Sequence, residues 1–243
     1  MTSVPMDDPV PTAATDAQLW WTGSRQINVF VDNESWIIPY AKEFVSEINR
    51  GRDVAIFYRD YESADKADLA FYLGCIRLTP DTVLRRHRHN LVPHASPLPK
   101  GRGFAPVWWQ VLEGAQSIPI CLFEAVAAVD AGPIYLEDQF QLEGHELHDE
   151  IRALQGKAAV DICLRYLCAP LPPPGRPQSG EPTFYPRRSR EHDQLDPEMT
   201  IARQFDLLRV LDSNNYPAYF DYRGHRYLIR IEKDESTECR PEA

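Results

Sequence analysis

The chain has 243 residues, enough for one substantial core with a smaller unit beside it. Hydrophobic residues at 43% and charged residues at 26% match a globular protein and exclude wholesale disorder. Acidic side chains number 36 against 26 basic ones, and the resulting charge of -10 argues against a nucleic-acid partner, which needs a basic stripe to displace phosphate counterions.

Residues 1–24 mix Pro, Thr, Ala and Asp with no sustained period and read as a flexible arm whose Trp20 and Trp21 are candidates for docking. Ile27–Asp32 reads as a buried strand, 35–50 as a helix and 53–59 as a second strand, the opening of a doubly wound α/β domain. A third strand is expected at Leu69–Gly74. A short helix follows at 79–87, with Thr79 as N-cap and Pro80 at its first position, and then a fourth strand at 90–96. Asn90–Gly103, "NLVPHASPLPKGRG", then forbids regular structure through its prolines and glycines.

Further on, Phe104, Val107, Trp108, Val111 and Leu112 share one helical face that stops at Gly114. "SIPICLFEAV" alternates as a strand running toward "AVDAGPIY", and a long helix spans 145–167. The prolines of 170–183 mark a linker between a domain over 25–169 and a small C-terminal unit over 184–243, with a helical piece and a hairpin turning at Arg223-Gly224. Cys75, Cys121, Cys163, Cys168 and Cys239 form no CxxC and read as reduced, packed thiols. No apolar run is long enough to cross a bilayer, and no signal-peptide pattern opens the chain. A cytoplasmic protein with no membrane contact is expected.

Two residues suit acid-base work. His94 ends the fourth strand and Asp130 follows a strand that can neighbour it, so both can reach the crevice where α/β sheets collect ligands. An ordinary core histidine and an ordinary turn aspartate are the alternatives. "DNESW" (Asp32–Trp36) sits where a helix N-terminus can hold phosphate, but it has no glycine and is no P-loop; plain capping by Asn33 or Ser35 is the simpler alternative. Arg187, Arg188 and Arg190 follow an aromatic pair and suit a nucleotide's phosphates, against the simpler reading of a solvated charge run. No histidine cluster has a metal-ligand pattern, so no metal is expected.

The ordered set His94, Ser96-Pro97-Leu98-Pro99, Arg102-Gly103, Pro106 and Asp130-Ala131-Gly132 resembles the catalytic core of the folate-dependent formyltransferases. The tail, "PRRSREHDQLDPEMTIARQFDLLRVLDSNNYPAYF", is similar to the segment that follows that core in the sugar-nucleotide N-formyltransferases. The resemblance implies a Rossmann-like α/β fold with a mainly parallel sheet plus a small C-terminal α+β extension. It implies transfer of a formyl group from N10-formyltetrahydrofolate to the primary amine of a nucleotide-linked amino-dideoxy sugar, in the service of polysaccharide biosynthesis. His94 and Asp130 are then catalytic, and Ser96, Pro97, Leu98, Pro99 and Arg102 line the folate side. Asn33, Ser35, Trp36, Lys100, Arg187 and Arg188 meet the sugar nucleotide, and a homodimer is left open.

One position departs from the pattern. The superfamily's Asn-x-His is Val92-Pro93-His94 here, and Asn90 is the nearest asparagine. In an extended strand its Cα stands roughly 13 Å from that of His94, at about 3.3 Å per residue, too far to polarise the same carbonyl. The departure keeps two alternatives open: an enzyme like methionyl-tRNA formyltransferase, and a catalytically silent folate- or nucleotide-sugar-binding protein.

Overall fold

The computed structural model describes residues 20–234. Its centre is a six-stranded sheet of order β2-β1-β3-β4-β6-β7. These strands are β1 (Gln26–Phe30), β2 (Val54–Tyr58), β3 (Leu69–Tyr72), β4 (His89–His94), β6 (Ser117–Glu124) and β7 (Ile134–Gln141). The first four pair in parallel, and β6 and β7 then add on antiparallel. The expected strand at 117–126 is therefore the first arm of a hairpin. Its second arm, β7, carries exposed Glu137 and Asp138 and has no clean apolar period to announce it.

Side chains alternate across the sheet. Val29, Phe71 and Leu91 face helices α1 (Ile38–Ile48) and α4 (His148–Cys168), where Phe44, Ile162 and Tyr166 complete one core. Phe30 and Tyr72 point to the other face, with Tyr61 and Val83 of the short helix α2 (Asp81–Leu84). Helix α2 is capped by Pro80 and takes no side-chain cap, so Thr79 does not have the capping role expected of it. Likewise α1 begins at Ile38 after an uncapped Ile37, so neither Asn33 nor Ser35 caps it.

The pairing of β3 with β4 ends at Phe71 and Leu91, while β4 stays paired with β6 as far as His94 opposite Cys121. Pro93 lies in that last stretch and offers no N–H to a ladder. The two strands separate there, and the crevice so formed positions the site.

Helix α3 (Pro106–Leu112) packs Val107, Trp108 and Val111 into a second core shared with Ile118, Phe140 and Ile151. Leu195, Leu208 and Val210 of the C-terminal segment enter the same core. That segment holds β8 (Phe184–Tyr185), which pairs with β5 (Arg102–Gly103), then helix α5 (Phe205–Val210) and a hairpin of β9 (Ala218–Tyr222) and β10 (His225–Ile229). Arg223 and Gly224 form the turn with φ of 51° and 81°. Phe104, expected on the face of α3, lies before the helix and is 38% exposed, because Ala105 turns the chain through a left-handed conformation at its N-cap.

Trp21 is buried against Arg25 and Tyr166 and donates from Nε1 to the Ala169 carbonyl at 2.7 Å. The rest of the expected arm, 1–19, and Cys239 lie outside the described residues. Arg25, 2% exposed, joins three elements: it pairs with Asp53 Oδ2 at 2.6 Å and donates to the Leu167 carbonyl at 2.9 Å. Burial pushes the Asp53 carboxyl up, but the hydrogen bonds and charge of Arg25 outweigh it, and its pKa falls below the ordinary value. A depressed pKa contributes stability that is present above the unfolded carboxyl's value of about 3.9 and is lost as the pH falls through the folded value. Asp53→Ala strands the Arg25 charge and is expected to cost about 3–5 kcal/mol in urea unfolding at pH 7, with the loss shrinking as unfolding is repeated toward pH 3.

Candidate active site

His94 ends β4 at 8% exposure. Its Nε2 lies 2.9 Å from the Gly101 carbonyl, so the tautomer carrying hydrogen on Nε2 satisfies that acceptor and leaves Nδ1 with the free lone pair. The same Nε2 is 3.9 Å from Asp130 Oδ2. Asp130 lies in the segment after β6, which starts beside Asn90, where the Ala125 N–H donates to the Asn90 carbonyl, and turns back along β4 to reach Gly103.

The loop after His94 is packed from beneath. Ser96 is fully buried, Leu98 packs on Cys121, Phe123 and Ile134, and the Leu98–Pro99 bond is cis. Gly103, with φ of 99°, stands where an added Cβ would lie 2.5 Å from the Tyr185 carbonyl oxygen. Its N–H donates to Asp130 Oδ2 at 2.8 Å. From the 170–183 stretch, Gln178 Nε2 donates to the carbonyls of Asp130 at 2.7 Å and Gly132 at 2.8 Å, and its Oε1 accepts from Arg102 Nη2 at 2.5 Å. The proline-rich linker is thus a strap across the site. Gln178 has no motif around it and was not identifiable from the sequence.

A cavity of about 400 Å³ opens beside this pair. Val92, Phe123, Phe104 and Val129 supply apolar wall, and His94, Asp130 and Arg77 the polar points. Burial first, then the charge of Asp32, pushes the Cys75 thiol up to about 12, which leaves it no thiolate for covalent work at neutral pH. Asp32 anchors the rim by accepting from the backbone N–H groups of Ile76 and Arg77, both at 2.9 Å, and from Tyr61 at 3.0 Å. Burial raises its pKa, but these bonds and one from Asn33 outweigh that and hold it below the ordinary value.

The predicted site residues divide. His94 and Asp130 meet at the cavity. Ser96, Pro97, Leu98, Pro99 and Arg102 do not line it; Gly103 and Phe104 do. Asn33 is committed to Asp32 and the Gly74 carbonyl, at 2.8 and 2.9 Å, and Ser35 accepts the Ile38 N–H through its carbonyl. Trp36 lines a crevice adjoining the cavity. Lys100 is exposed, and Arg187 lies over the Phe104 ring at 4.6 Å. Arg188 pairs with Asp193 at 2.8 Å and covers Trp108 at 4.4 Å, so it is in large part structural. Asn90 points away from His94: its amide donates to the Leu84 carbonyl at 3.0 Å and accepts from Tyr72 at 2.9 Å.

No family model matches the chain. Over 146 residues it is 29% identical to methionyl-tRNA formyltransferase of Ruegeria pomeroyi, covering 57% of this chain and 48% of the relative. The chain spans about half the length of the curated relatives it matches. Methionyl-tRNA formyltransferase from Clostridium thermocellum superposes with a TM-score of 0.73 at 19% identity, covering 88% of this chain and 95% of that one. HypX from Aquifex aeolicus in complex with tetrahydrofolic acid gives 0.66 at 16% identity, over 86% and 38% of the two chains. A sugar N-formyltransferase from a Shewanella species gives 0.60 at 12% identity, over 86% and 98%. The chain is thus similar in sequence to methionyl-tRNA formyltransferases over about half their length, and it has the Rossmann-like α/β fold of these formyltransferase structures.

Gly132 sits where a Cβ would overlap the Glu124 carbonyl oxygen, so Gly132→Ala must displace the turn that presents Asp130. A loss of about 2 kcal/mol or more in urea unfolding is expected.

Proposed function

We propose that the chain transfers a formyl group from N10-formyltetrahydrofolate to the primary amine of a nucleotide-linked amino-dideoxy sugar. The observation that carries this is the His94–Asp130 pair at the wall of an apolar cavity, 3.9 Å apart and each fixed by a backbone partner. The cavity fits a flat, partly apolar heterocycle: Phe123 and Val92 give it faces, and Asp130 and backbone groups give it polar edges. When bound, the folate supplies the activated formyl carbon.

The chain's own residues do the rest. His94 accepts a proton from the attacking nitrogen, and Asp130 stabilises the imidazolium that forms. Protonated His94 is then the donor nearest the developing oxyanion, in place of the amide that Val92 lacks, and it returns the proton to the departing folate nitrogen. Lys100 and the exposed Arg187 stand outside the cavity, where an acceptor's phosphates approach.

The likeness to methionyl-tRNA formyltransferases favours tRNA as a second acceptor. The charge of -10 opposes it, and a salt-sensitive band shift with tRNA would support it. A silent binding protein, the reading that Val92 prompts, predicts ligand binding without product.

The test is incubation with N10-formyltetrahydrofolate and a panel of amino-sugar nucleotides, with the added formyl group read by mass spectrometry. His94→Ala is expected to keep its fold and to lower kcat by about 10²–10⁴-fold. A folded His94→Ala with wild-type turnover would refute the role given to it.

A further inference from the structure

The turn that carries Asp130 is closed at its base by backbone bonds: the Glu124 N–H donates to the Pro133 carbonyl at 2.9 Å, and the Ala125 N–H to the Asn90 carbonyl at 2.6 Å. Its outer part is thinly held. Val126 and Val129 are exposed, and Asp130 itself has a left-handed φ of 47°, a conformation that a residue with a side chain keeps only where its surroundings enforce it.

Gln178 of the strap enforces it. An amide nitrogen has two hydrogens, and each has a carbonyl here, that of Asp130 at 2.7 Å and that of Gly132 at 2.8 Å. The Gln178 Oε1 accepts from Arg102 Nη2 at 2.5 Å. Arg102 precedes Gly103, whose N–H holds Asp130 Oδ2 at 2.8 Å, so loop, turn and strap close a ring that grips Asp130 by its carbonyl and by its carboxylate. The strap also reaches His94. Thr183 Oγ1 accepts the Gly101 N–H at 2.9 Å, and the Gly101 carbonyl is the partner of His94 Nε2. Backbone bonds of 2.8 Å in both directions between Arg176 and Ile134 anchor the strap itself. One segment, no part of which lines the cavity, thereby sets where both members of the pair stand.

We propose that Gln178 is a positioning residue for formyl transfer: it holds the turn so that the Asp130 carboxylate stands 3.9 Å from His94 Nε2. The proposal rests on the formyl-transfer reading for its reaction, and on the bonds just described for its geometry. The position is chemically narrow. Asparagine is one methylene too short, and glutamate, of nearly the same shape, has no hydrogen to donate. It sets its oxygens against two carbonyl oxygens while its charge strengthens the pair with Arg102. The attraction between the carboxylate and an imidazolium formed at His94 falls with distance, so a turn that moves outward withdraws support from the proton transfer and leaves acceptor binding as it was.

Gln178→Glu separates the grip on the turn from the tether to Arg102. The full chain carrying it is compared with the wild type in turnover of N10-formyltetrahydrofolate with the amino-sugar nucleotide that the panel identifies. The imidazole proton resonances of His94, assigned by their absence from His94→Ala, are compared at one pH. The expected result is a kcat lower by about tenfold to a hundredfold, an unchanged KM for the amine, and displaced His94 resonances. Gln178→Met, which keeps the length and loses all three bonds, should behave in the same way, and it replaces Gln178→Glu if that variant does not fold. Circular dichroism melting checks the fold. A residue that only ties down the strap would leave Gln178→Glu, with its Arg102 pair, like the wild type. A folded variant with wild-type kcat or with unmoved His94 resonances overturns the assignment. So does failure of both variants to fold, because the bonds are then a requirement of the fold. If the wild type formylates nothing in the panel, the resonances decide alone: displacement refutes the reaction and keeps the positioning role, and constancy refutes that role too.

Discussion

The hydrogen bond from the Gly103 N–H to Asp130 Oδ2, 2.8 Å long, is the contact on which the site depends. It ties the irregular loop after β4 to the turn after β6, and it fixes the carboxylate 3.9 Å from the imidazole of His94. A bond to an ionised acceptor is worth about 1.5–3 kcal/mol, enough to hold two loops in one arrangement. The conditions around it follow. Gly103 needs a positive φ and no side chain, because the Tyr185 carbonyl occupies the space a Cβ would take. Asp130 itself adopts a φ of 47°, and Gln178 steadies that turn by bonding its carbonyl.

The sheet supplies the frame for that contact. Parallel pairing carries β1 through β4 with their carboxyl ends on one side; β6 runs the opposite way beside β4, and the segment after it turns back to bring Asp130 to Gly103. Where β3 leaves β4, the space beside Pro93 stays open on both sides. The larger opening carries His94, Asp130 and apolar wall; the narrower one is lined by Trp36, Ile37, Ile120 and Gln155. Pro93 thus lines both openings, with His94 and Asp130 on the side of the larger one.

Val92 shows how a departure from the superfamily's pattern is absorbed. It shares a face of β4 with His94 and lines the cavity as apolar surface. Asn90 cannot compensate, because its amide closes a buried network with Tyr72, His87 and the Leu84 carbonyl at the other end of the strand.

The sequence by itself determined the alternating pattern that makes the parallel half of the sheet, the glycine and proline punctuation of the loop after His94, the Arg223-Gly224 hairpin, and the ordered motif that marked His94 and Asp130. Each is a local matter of period, φ restriction or spacing, and local chemistry is written in the order of residues. Tertiary structure alone decided that 117–141 is a hairpin, because β7 lies at the sheet's edge and needs apolar residues on only part of one face. It alone took Asn33 and Arg188 into structural pairings and turned the linker into a strap through Gln178. It alone set Arg152 over the Trp36 ring with Gln155 as its hydrogen-bond partner. Those outcomes depend on which distant groups compete for each donor and acceptor, and such competition exists only once the chain has folded.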